Sequence, residues 1–137
     1  MTVRLATVDD LDWLVDLAVI CHPTVNVVPN STRKWFETLM LSQNTIAVRG
    51  DHSAAFGIIS VVPWNGVELL CELAHLFSDP SSVSPMEPVR LLRFIQEVSQ
   101  MRGCKQFFIV STAADLTPFA EKIGAKRVGS IHVVDAP

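Results

Sequence analysis

The chain lacks the features that mark membrane, secreted and nucleic-acid-binding proteins. The richest apolar stretch near its start, Trp13 to Cys21, is interrupted by Asp16, so no membrane span is predicted. The first ten residues contain no long apolar run, so no signal peptide is predicted. The net charge of −3 argues against a nucleic-acid partner, because such proteins present a basic surface.

Metal-ligating residues are also scarce. The three cysteines, Cys21, Cys71 and Cys104, are odd in number, far apart and without a Cys-x-x-Cys pair. No spacing typical of metal ligands links the histidines. We therefore expect neither a metal site nor a disulfide framework, and a reduced, cytoplasmic compartment.

Apolar residues, by contrast, are plentiful. They make up 49% of the chain and charged residues only 18%, which is typical of a folded globular protein. A length of 137 residues without linker, repeat or low-complexity segment predicts a single domain over 1–137. Because this apolar share is more than a small monomer usually hides, we expect a homodimer or a complex with another protein, paired through the last strand.

Hydrophobic periodicity and turn residues predict the order β-α-α-β-β-β-α-β-α-β. Thr7 and Asp10 form a capping box, and the apolar residues that follow recur at helical spacing from Leu11 to Ala18. Asn65-Gly66 is a hairpin signal. The predicted strands are Thr2–Ala6, Thr45–Arg49, Ala55–Val62, Val67–Phe77, Gln106–Val110 and Val128–Val134. The other helices are predicted after Pro29 and over Val89–Met101 and Leu116–Ile123.

Two segments resemble parts of the GNAT superfamily of N-acetyltransferases. The strand that ends in Glu72 to Pro80 and runs into an amphipathic helix resembles the acetyl-CoA-binding core of that family. The segment Pro118 to Gly129 is similar to the family's Phe-Tyr-x-Lys-x-Gly-Phe segment, in which a helix ends at glycine before the final strand. The resemblance spans nearly the whole chain. It implies an α/β (α+β) GNAT fold, a mixed central sheet flanked by helices.

The loop that binds coenzyme A in that family departs from the family pattern here. The family reads Gln/Arg-x-x-Gly-x-Gly/Ala, and its backbone N–H groups hold the pyrophosphate. The aligned residues in this chain are Val83-Ser84-Pro85-Met86-Glu87-Pro88. The two prolines have no N–H, and we expect Glu87 to repel the phosphates at a cost on the order of several kcal/mol. Serine hydroxyls would permit weak binding. If acetyl-CoA binds, the residues expected around it are Leu76, Phe77, Ser78, Ser82, Val83 and Ser84.

The proton-transfer groups depart as well. The chain has no Tyr, and Ala120 stands where the family places the Tyr that protonates the leaving thiolate. Glu72 and His75 remain as candidate catalytic residues, since Glu72 matches a place where some members keep a general base. Each also has a structural explanation, Glu72 as a rim carboxylate paired with a cation and His75 as a hydrogen-bonded strand histidine. On an ideal strand the two lie on opposite faces, unless a bulge shifts the register.

These departures predict a GNAT-fold protein with a degenerate site, acting as a non-catalytic binding or assembly module without a cofactor. In size and pattern the chain resembles short GNAT-like proteins of podophage virions, so a virion location is the expectation for a phage-encoded chain. The alternative is an active acetyl-CoA-dependent N-acetyltransferase that uses Glu72 and a water relay. We expect no nucleic acid, membrane or metal as a partner.

Overall fold

The computed structural model describes residues 3–21, 27–62, 64, 66–82, 84–110, 116–129 and 134. The strands are β1 (Arg4–Leu5), β2 (Thr45–Arg49), β3 (Ser53–Val61), β4 (Leu69–Ser78) and β5 (Cys104–Phe108). The helices are α1 (Leu11–Cys21), α2 (Pro29–Leu41), α3 (Met86–Met101) and α4 (Thr117–Lys122), and a 3-10 turn over Val8–Asp10 leads into α1. No helix in these ranges is long and apolar enough to cross a membrane.

The strands form one mixed sheet in the order β1-β2-β3-β4-β5. The first four strands run antiparallel to their neighbours. β5 joins β4 in parallel after the crossover through α3. Helices cover both faces of the sheet, so the predicted mixed sheet flanked by helices is confirmed.

Each face of the sheet carries its own hydrophobic core. The core under α1 and α2 is rich in aromatic residues and includes Phe36, Phe56 and Phe77. The core under α3 is aliphatic and is centred on Leu91, Leu92 and Ile95, which are fully buried. The predicted apolar stripe of α1 is confirmed, since Leu11, Leu14, Val15 and Ala18 are all buried.

A network around Asp10 ties the chain's start to the sheet. Arg4 donates to both oxygens of the Asp10 carboxylate at 2.8 Å, and Arg49 donates to one of them at 3.1 Å. The backbone N–H of Thr7 donates to the same carboxylate at 2.8 Å, so the predicted capping box is present. The guanidinium of Arg49 stacks 3.5 Å above the ring of Trp13. Asp10 therefore joins β1, β2 and the start of α1.

Three predicted elements need correction. α3 begins at Met86, three residues before the prediction, because a proline such as Pro88 fits in a first turn whose N–H groups have no helical partner. The strand predicted over Gln106–Val110 is observed as β5 over Cys104–Phe108, and Lys105 and Gln106 are exposed on this edge strand of the described sheet. The last strand was predicted over 128–134, where residues 128, 129 and 134 are described and are not in a strand. The rest of it lies outside the described residues.

Candidate functional site

β4 continues beyond its last pair with β5. The two strands are paired from Leu69 with Cys104 to Glu72 with Phe108, and in the described part of the chain this ladder ends there. On its other side β4 stays paired with β3 as far as Ser78. Since β5 itself ends at Phe108, the second half of β4 extends past it, and we call the space beside this half of β4 the wedge. The wedge opens toward the carboxyl end of β4, and Glu72 lies at its apex.

A β-bulge lies just beyond the apex. Phe56 of β3 pairs with His75, and the next β3 residue, Gly57, pairs with Leu73, so Ala74 is the additional residue. An inserted residue reverses the faces of all later side chains, because strand side chains alternate with a period of two. Glycine is needed at position 57, since a Cβ there would lie 2.8 Å from the Sγ of Cys71.

The bulge brings Glu72 and His75 to the same face of the sheet. Glu72 is opposite Ile58 and His75 is opposite Phe56, and both partners pack in the core under α1 and α2. Directly opposite residues on neighbouring strands share a face. The prediction that they lie on opposite faces, which assumed an ideal strand, is therefore wrong. The bulge that was named as the exception to that prediction is present. Their positions on β4 are about 7 Å apart along the sheet.

His75 is enclosed by aromatic rings. The ring of Phe77 is stacked at a centroid distance of 5.6 Å, and those of Phe56 and Phe36 lie at 6.0 and 6.2 Å. The indole N–H of Trp35 donates to Nε2 of His75 at 3.1 Å. Since Nε2 accepts this bond, the imidazole proton is assigned to Nδ1. His75 thus links β4 to α2, and its Nε2 lone pair is already engaged.

Glu72 has a different environment. Its side chain is exposed, and it is the last residue of β4 that pairs with strands on both sides. A carboxylate at the apex of the wedge is within reach of a group that enters from its mouth and of water. Of the two predicted catalytic residues, Glu72 is therefore the more accessible, and His75 is held by its bond to Trp35.

The turn after β4 is held by Asp79. Its side-chain oxygen accepts the backbone N–H of Ser81 at 2.9 Å and the hydroxyl at 2.7 Å, and these bonds lower the pKa of Asp79. The backbone N–H of Asp79 donates to the carbonyl of His52 at 2.8 Å. The thiol of Cys21 donates to the carbonyl of Ser78 at 3.1 Å. This turn thereby fixes the end of β4 against α1 and the β2–β3 connection.

The predicted cofactor-binding residues fall into two groups. Phe77 is buried in the core under α1 and α2, whereas Leu76 packs toward α3, and both lie on β4 beyond the last pair with β5. Ser82 and Ser84 lie in the segment that leads into α3, where the N–H of Ser84 donates to the Ser82 hydroxyl at 3.4 Å. Ser78 ends β4, and Val83 lies outside the described residues.

The side chain of Glu87 is buried. It is in the first turn of α3, but it is only 1% exposed. Its Oε1 accepts the backbone N–H of His52 at 2.8 Å and the hydroxyl of Ser53, and no hydrogen-bond partner of the buried Oε2 is found among the described residues. The carboxylate is therefore turned into the protein, so the predicted repulsion of phosphates would act from a buried position. Its sequence position gave no sign of this burial.

The start of α3 still has donors for an anion. Pro85 is the N-cap residue and Pro88 the third residue of the helix, and neither has an N–H. The backbone N–H groups of Met86 and Glu87 remain in the first turn, where helical geometry provides no partner for them. The two prolines therefore provide no N–H donors for a phosphate, but other N–H donors remain in the same turn.

Two other features of the surface lie apart from the wedge. A cleft of about 320 Å³ at the opposite end of the sheet is lined by Ile59, Leu69 and Arg102, among others. A smaller one of about 150 Å³ lies between α1 and the β2–β3 connection. Within the described ranges no group of three or more His, Cys, Asp or Glu side chains is arranged to hold a metal ion.

No protein-family model matches the sequence, and no match is found among curated proteins. Solved structures do match its fold. The aminoglycoside N-acetyltransferase AAC(6')-Iy, in complex with CoA, superposes with a TM-score of 0.79 at 13% identity, covering 98% of this chain and 93% of that one. The ribosomal-protein-alanine N-acetyltransferase from Brucella melitensis biovar Abortus gives 0.76 at 12% identity, covering 99% of both chains. A transcriptional regulator from Bacillus halodurans gives 0.79 at 15% identity, covering 98% and 99%. The chain therefore has the GNAT acetyltransferase fold.

Proposed function

We propose that this protein is an N-acyltransferase that transfers the acyl group of a pantetheine thioester, such as acetyl-CoA, to an amine. The observation that carries the proposal is the wedge between β4 and β5, which opens beyond Glu72 and Phe108. An extended chain with amide groups can add to an open strand edge through main-chain hydrogen bonds. Pantetheine is such a chain, and its thioester would reach the bulge at the apex.

Residues at the apex supply the proton chemistry. The amine nitrogen attacks the thioester carbonyl, a C–N bond forms, and the C–S bond breaks. Glu72 accepts the proton that the amine loses, directly or through one water, as a general base. Without a Tyr in the chain, the thiolate leaves unassisted and takes a proton from water. A thiol is a far stronger acid than water, so its thiolate can leave without prior protonation.

The burial of Glu87 weakens one objection to catalysis. The sequence-based preference for a non-catalytic module depended on this charge, on the two prolines and on the missing Tyr. The carboxylate is turned into the protein, where it accepts bonds from His52 and Ser53. Fewer phosphate donors and no acid lead us to expect weak coenzyme binding and slow turnover.

The decisive test measures thiol release with a chromogenic thiol reagent, using acetyl-CoA and a panel of primary amines. We expect amine-dependent release of coenzyme A that falls about 10²-fold or more in Glu72→Gln. Acetyl-CoA should still raise the melting temperature of that variant as it does for the wild type. Glu68→Gln is the matched control, because Glu68 precedes β4 and lies away from the apex.

A lack of binding and turnover would favour the non-catalytic interpretation. If acetyl-CoA neither stabilises the protein nor releases thiol with any amine, the protein is not an acyltransferase of this type. The non-catalytic binding or assembly module, including the virion component, would then be the better proposal, and pull-down of a protein partner would be its test.

A further inference from the structure

Charge is distributed unevenly along the chain. Residues 84–129, which contain α3, β5 and α4, hold seven of the eleven Lys and Arg but only four of the fourteen Asp and Glu. The remaining residues are strongly acidic. Two of the four cations there, Arg4 and Arg49, are bonded to Asp10, and a third, Arg33, is bonded to Asp12. The cationic surface of this acidic protein is therefore concentrated around α3 and α4.

Five exposed cations lie on α3, on α4 and in the segment directly after α4, and we call them the α3–α4 basic patch. It consists of Arg90, Arg93, Lys122, Lys126 and Arg127. Arg90 and Arg93 are three residues apart on α3 and share a face of that helix. Arg93 donates to the backbone carbonyl of Lys122 at 3.0 Å and so holds α4 beside α3. Glu97 and Glu121 are the exposed carboxylates of these two helices, so the patch keeps a net positive charge.

The patch is carried by the elements on one face of the sheet. α4 packs through Phe119 and Ile123 against the core on the α3 face, the same core that Phe107 of β5 joins. α3 begins after the turn that ends β4, and its first turn is bonded through Glu87 to His52 beside the end of β4. The carboxyl end of β4, where the wedge opens, and the first turns of α3, which carry Arg90, are therefore neighbours.

The mouth itself suits a donor with little phosphate. Pro85 and Pro88 contribute no N–H, and the buried Glu87 carboxylate lies in the first turn of α3, where it already occupies the favourable potential of the helix N-terminus. Coenzyme A would bring a pyrophosphate and a phosphomonoester to this point. A pantetheine arm attached to a protein through one phosphodiester brings much less charge.

We propose that the preferred acyl donor is a pantetheine thioester on the phosphopantetheine arm of a small acidic carrier protein, which docks on the α3–α4 basic patch while its arm enters the wedge. This inference rests on the acyl transfer proposed above and names its donor class. The transfer is the same: the amine nitrogen forms the C–N bond, the C–S bond breaks, and the free thiol stays on the arm. Opposite charge across such a surface favours encounter and orientation.

The test compares three acetyl thioesters by binding and by amine-dependent thiol release: acetyl-pantetheine, acetyl-CoA and an acetylated acidic acyl carrier protein. We expect the carrier to bind about tenfold or more tightly than acetyl-CoA, and its binding to weaken as ionic strength rises. The double charge reversal Lys122→Glu with Lys126→Glu should weaken carrier binding about tenfold and leave acetyl-pantetheine binding unchanged. The matched control, Lys34→Glu with Lys105→Glu, alters net charge equally at exposed sites outside the patch.

The outcomes separate this inference from the proposed function. If acetyl-CoA and acetyl-pantetheine are used but the carrier is not preferred, the donor assignment is wrong and the acyltransferase stands. Equal loss of carrier binding in the patch variant and the control variant would also overturn it. If none of the three thioesters binds, the proposed function itself has failed.

Discussion

Asp10 and Glu87 are both buried carboxylates, but they are compensated in different ways. Asp10 is bonded to two guanidinium groups and to the backbone N–H of Thr7. Glu87 is bonded to the backbone N–H of His52 and the hydroxyl of Ser53, and the described part of the chain contains no partner for its second oxygen. The Asp10 carboxylate connects β1, β2 and the start of α1. The Glu87 carboxylate leaves a negative charge beside the proposed entrance to the site.

The largest expected effect is the loss of the Asp10 network. Asp10→Asn removes the charge that compensates Arg4 and Arg49, and we expect about 2–3 kcal/mol less unfolding free energy in urea denaturation. This magnitude lies between those of exposed and fully buried pairs, because the Arg4 side chain is about half exposed. Asp12→Asn is the control, since that carboxylate is 91% exposed and should cost less than about 1 kcal/mol. Equal losses would show that the network adds nothing beyond a surface pair.

The same network predicts a pH dependence. The bonds from Arg4, Thr7 and Arg49 hold the pKa of Asp10 well below its usual range. A carboxylate whose pKa is lower when folded contributes stability above its unfolded pKa of about 3.9. That contribution is lost as the pH falls further toward the folded value. Unfolding free energy should therefore decline below about pH 4, with a shallower decline in Asp10→Asn.

The next largest effect concerns the fit of Glu87 against the β2–β3 connection. A Cβ at Gly50 would lie 2.8 Å from Cγ of Glu87 and nearer still to its carboxyl group. We expect Gly50→Ala to cost about 1–3 kcal/mol of stability through overpacking. The cost should shrink when Glu87→Ala is added, giving a coupling above about 0.5 kcal/mol in a double-mutant cycle. Gly129→Ala is the control, because nothing lies within 4 Å of a Cβ there. If the stability losses of the two single variants simply add in the double variant, the proposed contact between position 50 and Glu87 is wrong.

A smaller effect is expected from the charge of Glu87 alone. Glu87→Gln keeps an acceptor for His52 and Ser53 but removes the negative charge from the first turn of α3. Acetyl-CoA should then bind several-fold more tightly in calorimetry, since a charge near a helix N-terminus is typically worth about 0.3–1 kcal/mol. Binding of acetyl-pantetheine, which has no phosphate, should be unchanged. Equal changes for the two ligands would mean that the charge does not act on the phosphates.

An effect of similar size is expected at Trp35. Trp35→Phe removes the indole donor to His75 while keeping an aromatic ring on α2. We expect a loss of about 0.5–1.5 kcal/mol in thermal unfolding, and Trp64→Phe on the exposed hairpin is the control. Nitrogen chemical shifts of His75 should report the Nδ1–H tautomer in the wild type and a mixture in the variant. An unchanged tautomer would show that the bond does not set it.

The sequence predicted the sheet and helices well because each depends on local patterns. The capping box at Thr7, the α1 stripe and β2 follow from residues close together in the chain, and all three are confirmed. A bulge in the fourth strand was named only as an exception to the ideal strand. The position of the bulge follows from the pairing of Phe56 and Gly57 of β3 with β4. The sequence of β4 alone does not indicate this pairing.

The site was harder to predict because its contacts join distant parts of the chain. Trp35 and His75 are forty residues apart, and the partner of Glu87 lies thirty-five residues away at His52. A glutamate in a first helical turn is ordinarily exposed, so its burial depends on the packing of the β2–β3 connection. The presence of the candidate residues could be read from the sequence. Their orientations could not.

The sheet order has a consequence for how the protein folds. Each of the first four strands pairs with its neighbour in sequence, whereas β5 reaches β4 only after the whole of α3. The β2–β3 and β3–β4 pairs close short loops, whereas the crossover from β4 to β5 spans residues 79–103 and closes at a higher entropic cost. The meander of β2 to β4 is therefore expected to form before β5 docks, and native-state hydrogen exchange should show lower protection in β5 than in β3. The wedge is the boundary between these two folding units, so its shape is set in the last and least protected step of folding.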